Sequence, residues 1–234
     1  MNPPTLLIDP SRRATRGRSV SRLPALAVLL GLTVSLAAPP AGGDGRGKLR
    51  RYRTEHYDIH TDLPEKAVRE AAARMTAIAE EYQRRTEGFH RKVRGRMPFY
   101  LFSRAEDYYA AGGIDGSAGV YTGEKLMAVA GGIRGLAVWH TIQHEAWHQF
   151  AHKVISSRLP VWLDEGMAEY FACSVWTGDG FVSGVAPRGR VSRIKKLIES
   201  KKTVPFLDML RMSRREWNGQ MSSRNYCQAW AMVH

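Results

Sequence analysis

The chain has 234 residues, of which 44% are hydrophobic and 24% are charged, and its net charge is +13. These proportions exclude a disordered chain and are typical of one globular domain with a hydrophobic core. The basic charge by itself would suit a nucleic-acid binder, but a solvated basic surface is the simpler interpretation. The sequence contains no internal repeat and no glycine-rich loop of the phosphate-binding kind.

The first 48 residues predict an export signal and a linker. Five arginines and one aspartate precede an apolar run, residues 23–38, in which Ser35-Leu36-Ala37 suits a cleavage site. The run is short for about 30 Å of hydrocarbon. We therefore predict a signal peptide at 1–38, a flexible linker at 39–48 and an exported protein, secreted or periplasmic. An uncleaved N-terminal anchor is the alternative, and only then is contact with a membrane expected.

The next segment predicts a strand followed by a scaffold helix. Residues 49–62 have the alternation of a strand, on which His56, Asp58 and His60 share one face. A polar, solvated sheet face explains these three residues better than a metal site does. An amphipathic pattern over 64–88 then predicts a long helix with one charged face.

A second strand and a hairpin follow. Met97–Phe102 is apolar and predicts a buried strand, after which Ser103 predicts the N-cap of a short helix. Apolar runs at 119–121 and 125–130 flank a turn at 122–124, which predicts a hairpin. Together with the helices described next, these elements predict an α+β fold with a small mixed β-sheet.

Residues His144, Glu145 and His148 form the pattern HExxH. In an α-helix the two histidines project from one face, one turn apart, and can bind one ion through neutral imidazole nitrogens. Glu145 lies at the flank of that face, where a base can take a proton from a metal-activated water. His140 and His152 continue the spacing, but four imidazoles spread over three turns cannot all reach one ion. We predict that these two are not ligands.

A catalytic zinc site needs a third protein ligand and one open position. Pro160 predicts the end of the first helix, and Asp164 and Glu165 predict the opening of a second. Glu165 is the predicted third ligand of one Zn²⁺ ion. Glu169 lies four residues further on the same face and is placed to hydrogen-bond the outer nitrogen of a ligating histidine, a role that Asp164 can share.

These residues resemble the gluzincin zinc metallopeptidases. Gln149 completes an HExxHQ form, and Trp162–Phe171 has the WLxEGxAEYF form of the uncharacterised secreted branch of the peptidase MA-like superfamily. The resemblance covers the core well and residues 50–234 loosely. It implies a zincin-like fold, in which an HExxH active-site helix is followed by a glutamate helix. Asp164 stands where the aminopeptidase branch usually has Asn, and that branch's amine-recognition motif is missing, so aminopeptidase specificity is not implied.

The resemblance implies two further parts of a substrate site. In gluzincins the strand before the active-site helix lines the cleft, which implies that Leu126–Ala130 is an edge that binds an extended peptide. A plain structural hairpin is the alternative. In the aminopeptidase branch a tyrosine about as far beyond the glutamate as Tyr226 is here stabilises the oxyanion. The alternative is that Tyr226 packs against Trp230 as an i, i+4 pair.

The C-terminal part predicts several short helices. Residues 191–200 and 205–212 predict two, with solvated Lys and Arg faces, and Ser222 predicts the N-cap of a last one. This last pattern stops without a cap, which predicts a domain truncated at its C-terminus. Cys173 and Cys227 are compatible with one disulfide in an exported protein, although the sequence does not establish that they meet.

We therefore predict a zincin-like metallopeptidase domain at residues 49–234. The expected substrate is a peptide or protein, hydrolysed through a metal-activated water with Glu145 as general base. The alternative is a zinc-stabilised binding module of the same fold without turnover. No nucleic-acid partner is expected, because the net charge is the only feature that favours one.

Overall fold

The structure is a computed structural model that describes residues 48–89, 91, 93–130, 136–220 and 222–234. The predicted signal peptide at 1–38 and the linker up to residue 47 lie outside the described residues. No helix in the described part of the chain is long and apolar enough to cross a membrane.

The described residues contain seven strands and eight helices. The strands are β1 (Arg50–Arg53), β2 (Tyr57–Thr61), β3 (Met97–Phe102), β4 (Gly119–Tyr121), β5 (Leu126–Val129), β6 (Val175–Trp176) and β7 (Phe181–Val182). The helices are α1 (Glu65–Arg85), α2 (Ala105–Ala110), α3 (Leu136–Val154), α4 (Val161–Ala172), α5 (Arg188–Glu199), α6 (Phe206–Arg211), α7 (Arg214–Gln220) and α8 (Ser223–Val233).

Five of the strands form one mixed sheet in the order β1-β2-β3-β5-β4. β3 lies parallel to both β2 and β5, whereas the edge strands β1 and β4 pair antiparallel with their neighbours. The predicted α+β class with a small mixed sheet is confirmed. β6 and β7 form a separate antiparallel ribbon.

Two predictions before the hairpin are wrong. Residues 49–62 form two strands rather than one, because Thr54 closes a turn in which its Oγ1 accepts a hydrogen bond of 2.9 Å from the Tyr57 N–H. Such side-chain bonds compete with a continuous strand. Ser103 does not cap α2: its hydroxyl donates to the Asp62 carboxylate instead, and no side chain caps that helix.

The hairpin of β4 and β5 is confirmed, but the substrate edge predicted at Leu126–Ala130 is wrong. β5 pairs with β3 on one side and with β4 on the other, so its backbone groups are already hydrogen-bonded. The edge strand is β4, where the Tyr121 N–H donates to the Glu145 carboxylate of α3 at 2.8 Å. An extended peptide that added to this side of the sheet would therefore meet β4.

The main hydrophobic core joins the sheet to α1, α3 and α4. Tyr82 of α1 is fully buried against the rings of Trp147, Phe150 and Phe171. Its hydroxyl donates to the Gln143 carbonyl at 2.6 Å, within α3. The helix predicted over 64–88 is thus found as α1, and it fixes the position of the helix that carries the HExxH residues.

The helix break at Pro160 is confirmed, but α4 begins earlier than predicted. Pro160 has φ −53° and occupies the N-cap, so the helix starts at Val161 rather than at Asp164. Proline is tolerated at a helix start because its missing N–H needs no partner there. Asp164 lies in the first turn, where a negative charge is favourable.

Two contacts hold α4 between its neighbours. The Trp147 indole N–H donates to the Asp164 carbonyl at 3.1 Å and ties α3 to the first turn of α4. On the other side α8 approaches so closely at Gly166 that a Cβ there would lie 2.6 Å from the Ala229 carbonyl oxygen. Glycine at this position therefore allows α8, which carries Tyr226, to pack beside the glutamate helix.

Candidate metal centre

The predicted metal ligands converge on one point between α3 and α4. His144 Nε2 and His148 Nε2 are 3.2 Å apart, and Glu165 Oε2 lies 3.4 Å from the first and 3.6 Å from the second. In a tetrahedral zinc site with bonds of about 2.0–2.1 Å, neighbouring ligand atoms are about 3.3–3.4 Å apart. The three side chains therefore form a group that can hold a metal ion, and their spacing fits zinc.

A carboxylate binds the outer nitrogen of each histidine. Glu169 Oε1 is 3.1 Å from His144 Nδ1, and Asp164 Oδ1 is 2.9 Å from His148 Nδ1. Because an ionised carboxylate only accepts hydrogen bonds, these contacts assign a proton to each Nδ1. When the imidazoles are neutral, each Nε2 presents a lone pair to Glu165 Oε2, and three such acceptors require a proton or a metal ion between them.

The same carboxylates raise the proton affinity of the metal-free histidines. Burial acts to lower the pKa of His144, but hydrogen bonds to Glu165 and Glu169 outweigh it and raise the pKa to about 9. For His148, burial is likewise outweighed by Asp164 and Glu165, and the pKa rises to about 10. At neutral pH the metal-free centre is therefore protonated, and a metal ion must displace those protons.

Two arginines that the sequence patterns did not identify balance the carboxylates. Arg214 of α7 donates to Glu165 Oε1 at 2.8 Å and to Asp164 Oδ2 at 2.6 Å. Arg190 of α5 forms an ion pair with Glu169 Oε2. Each of the three carboxylates thus has one oxygen bound to an arginine, and the other oxygen faces a histidine.

Arg190 precedes the helix predicted at 191–200 but belongs to α5, which begins at Arg188, and its side chain is only 19% exposed and lies against α4. A signal for such partners exists in the sequence. Asp164, Glu165 and Glu169 lie within one apolar helix, and buried carboxylates require cations. The buried carboxylates predict that basic side chains lie near them, but they do not identify which arginines these are.

Glu145 lies beside the ligand group with one carboxylate oxygen anchored. Its Oε2 accepts the Tyr121 N–H at 2.8 Å, and no hydrogen bond to Oε1 occurs among the described residues. The side chain is half-buried. One oxygen is therefore fixed by the edge strand, and the other is available to a water molecule.

Tyr226 of α8 reaches the same centre. Its ring centroid is 6.2 Å from that of His144 and 5.1 Å from that of Trp217. The alternative pairing with Trp230 does not occur as a ring contact between these two described residues. Burial raises the pKa of Tyr226 and the negative charge of Glu165 raises it further, so the phenol keeps its proton at neutral pH.

The flanking histidines lie outside the first ligand group. Burial lowers the pKa of His140, which disfavours its charged form. His152 Nε2 lies 3.4 Å from Asp164 Oδ2, and His148, His152 and Asp164 form a second group that can hold a metal ion. Neither flanking histidine belongs to the group that contains Glu165.

The polar residues of β2 have ordinary partners. Asp58 pairs with Arg51 at 2.5 Å, and the His60 ring stacks on Tyr100 with centroids 4.5 Å apart. These contacts support the interpretation of a polar sheet face. Another group that can hold a metal ion consists of Glu55, His56 and Glu80.

The two cysteines are both free thiols in the structure. The disulfide between Cys173 and Cys227 that the sequence allows is therefore not formed in the structure. Burial raises the pKa of Cys173 and of Cys227, which disfavours the thiolate.

A family model described as a protein of unknown function (DUF1570) matches residues 138–234. The matched segment contains His144, His148 and Glu165, and the helices that supply Arg190, Arg214 and Tyr226. No curated protein matches the chain.

Proposed function

We propose that this chain is a zinc-dependent metallopeptidase of the gluzincin type, with a zincin-like fold, that acts on a peptide or protein after export. The observation that carries the proposal is the triangle of His144, His148 and Glu165 acceptor atoms with Glu145 beside it. Structural zinc sites are closed by four protein ligands, whereas catalytic sites have three and an open position. The group in the described residues has three.

A zinc ion in this site would polarise the scissile carbonyl and lower the pKa of a water molecule to about 7. Glu145 accepts a proton from the attacking water and passes it to the leaving amine. The Tyr121 N–H keeps that carboxylate in place. Tyr226 is protonated at neutral pH and donates a hydrogen bond to the developing oxyanion.

The arrangement of the elements supports the same proposal. The edge strand β4 runs antiparallel to β5 and contacts the HExxH helix α3, and the glutamate helix α4 follows α3 in the chain. The succession of α3 and α4 agrees with the gluzincin resemblance, whereas β4 takes the edge position that the resemblance implied for Leu126–Ala130. The apolar segment at 23–38 supports export.

The metal content of the purified chain tests the ligand assignment. We expect near-stoichiometric zinc in the wild type and its loss in His148→Ala, because two remaining ligands do not retain the ion. Folded wild-type protein that contains no zinc and takes up none on addition would overturn the proposal.

The variant Glu145→Gln separates an enzyme from a zinc-stabilised binding module. An enzyme is expected to keep its zinc and to lose activity by about 10²–10⁴-fold, since the substitution removes the base and leaves the ligands. Cleavage of a peptide library, detected by mass spectrometry, supplies the activity. A zinc-loaded wild type that cleaves nothing would favour the binding module.

A further inference from the structure

A cavity of about 730 Å³ adjoins the candidate metal centre. It is bordered by side chains from α1, α3, α4, α5 and α8 and from the β6 strand. Glu169 and Tyr226 belong to its wall and also to the surroundings of the metal ligands. The cavity thus shares two wall residues with the surroundings of the centre, while His144, His148 and Glu165 themselves do not line it.

The wall of the cavity carries an excess of positive charge. Three arginines line it, Arg74, Arg190 and Arg193, against one carboxylate, Glu169. Glu169 is already engaged, because one oxygen faces His144 Nδ1 and the other pairs with Arg190. It has no oxygen left to balance the other two guanidinium groups.

Arg74 reaches the cavity from the scaffold helix α1. Its guanidinium lies 4.6 Å from the ring centroid of Trp139 and 5.7 Å from that of Trp176. One terminal nitrogen pairs with Glu70, but its Nε is buried and has no hydrogen-bond acceptor among the described residues. A buried donor without an acceptor is unfavourable, so the protein partners of this guanidinium do not satisfy it completely.

Arg193 is the second arginine available to a ligand. Its side chain donates to the Ser223 hydroxyl, and it forms no ion pair with a carboxylate in the described part of the chain. The first turn of α5 also faces this cavity, through Gly189, and no side chain caps that helix. A 12-residue helix with a free N-terminus adds partial positive charge to the same wall.

We propose that this cavity is a substrate subsite that binds a carboxylate, so that the chain hydrolyses peptides with an acidic group near the cleaved bond. The subsite rests on the proposed peptidase function. Arg74 and Arg193 bind the carboxylate, and the Trp139 and Trp176 rings contact the apolar part of the same residue. The carboxylate comes either from an Asp or Glu side chain or from the C-terminus of the peptide, and both have the same chemistry.

Fluorescence anisotropy with labelled peptides tests the subsite without turnover. The zinc-loaded mature chain carries Glu145→Gln, and a single Glu is moved through an otherwise neutral, C-terminally amidated peptide. We expect one position to lower Kd by about tenfold or more relative to Gln, as for a charge-assisted hydrogen bond. A neutral peptide with a free C-terminus shows whether the terminal carboxylate binds equally well.

Arg193→Gln and Lys195→Gln form a matched pair on α5. Each removes one positive charge, but only Arg193 lines the cavity. We expect Arg193→Gln to reduce the preference for Glu to about threefold or less and Lys195→Gln to preserve it. Equal binding of the Glu and Gln peptides at every position, or equal losses in both variants, would overturn the subsite.

Peptide cleavage by the wild type distinguishes failure of the carboxylate subsite from failure of the proposed peptidase function. Efficient cleavage of neutral peptides with no preference for acidic ones would leave the peptidase and remove the subsite. Glu-dependent binding lost in Arg193→Gln, without cleavage of any peptide, would leave the carboxylate site and remove the peptidase.

Discussion

Two groups of polar side chains share His148, and they differ in whether the carboxylate of the group has an oxygen atom without a hydrogen bond to an arginine or a histidine Nδ1. One consists of His144, His148 and Glu165, and the other of His148, His152 and Asp164. His148 directs Nε2 to the first group and Nδ1 to the second. In the first group the three facing atoms contact one another within 3.6 Å.

In the second group both oxygens of the Asp164 carboxylate already accept hydrogen bonds. Asp164 accepts from His148 on one oxygen at 2.9 Å and from Arg214 on the other at 2.6 Å. Glu165 accepts from Arg214 through Oε1 only and keeps Oε2 for the centre. In the proposed centre, adjacent carboxylates on one helix therefore have different roles: Asp164 orients a ligand, whereas Glu165 is one. The hydrogen bonds to Arg214 and His148 decide between these roles.

The largest effect expected from this difference is on zinc retention. His144→Ala and His152→Ala each remove one imidazole from α3, but only His144 belongs to the first group. We expect His144→Ala to lose its zinc and all hydrolysis, and His152→Ala to retain about one zinc per chain. Metal analysis by mass spectrometry after gel filtration measures both, with circular dichroism as a check on folding. Zinc loss in His152→Ala alone would mean that the second group is the metal site.

Tyr226→Phe tests a residue that contacts the first of the two groups, through the His144 ring. It removes one oxygen atom and no metal ligand, so we expect kcat to fall by about 10²–10³-fold with zinc content unchanged. Steady-state kinetics on a cleaved peptide measures the loss. Tyr170→Phe on α4 is the control, because it removes the same atom from a ring that contacts His234. An unchanged kcat in Tyr226→Phe would show that the ring only packs there.

Asp164→Asn changes the second group and affects the first through His148 and through Arg214, which also binds Glu165. The amide keeps an acceptor for His148 Nδ1 but removes the charge that holds both this imidazole and Arg214. We expect zinc affinity to fall by about 10–100-fold, as for other groups that orient metal ligands. Competition with a chromogenic chelator measures the affinity, and Asp208→Asn on the exposed side of α6 is the control. A complete loss of zinc would identify Asp164 as a ligand.

The two histidines of the ligand group were predictable because helix geometry is local and fixed, whereas Glu165, on α4, was predicted from its place after Pro160 and from the resemblance. Residues four apart in α3 face the same way in any fold, and Pro160 predicts where that helix must end. The same local rules predicted α1 and β3. They failed at 49–62, because the choice between one strand and a turn depends on whether the Thr54 hydroxyl finds a backbone partner.

The arginines and the edge strand were not predictable, because both depend on tertiary contacts. Arg190 and Arg214 lie 21 and 49 residues from their partners Glu169 and Glu165, and the chain has 35 Lys and Arg residues from which to choose. The order β3-β5-β4 likewise places the later strand of the hairpin inside the sheet, and the hairpin pattern is the same for either order. The sequence thus predicts the ligands and the carboxylates beside them better than the arginines that bind those carboxylates.

The smallest expected effect is a difference in pH dependence between the metal-free and zinc-bound chain. The pKa values of His144 and His148 are about 9 and about 10 in the metal-free fold, against 6.5 for an unperturbed histidine. The stability they contribute is complete below pH 6.5 and is lost as the pH rises toward 9–10, by about 1.4 kcal/mol per proton and pH unit at most. The lowered pKa of Glu165 adds no slope in this range, because it ionises far below it.

Zinc reverses this dependence, because protons compete with the metal for His144 and His148. We expect the Tm in excess chelator to fall between about pH 6.5 and pH 9, by about 2–4 °C for each kcal/mol of stability lost. With zinc in excess, the gain in Tm over the chelated sample should increase across the same range. His144→Ala is the control, since it removes one titrating group and a ligand together, and should flatten both trends. Parallel curves for the two samples would mean that protons and zinc do not share these nitrogen atoms, which contradicts the placement of the ion between α3 and α4.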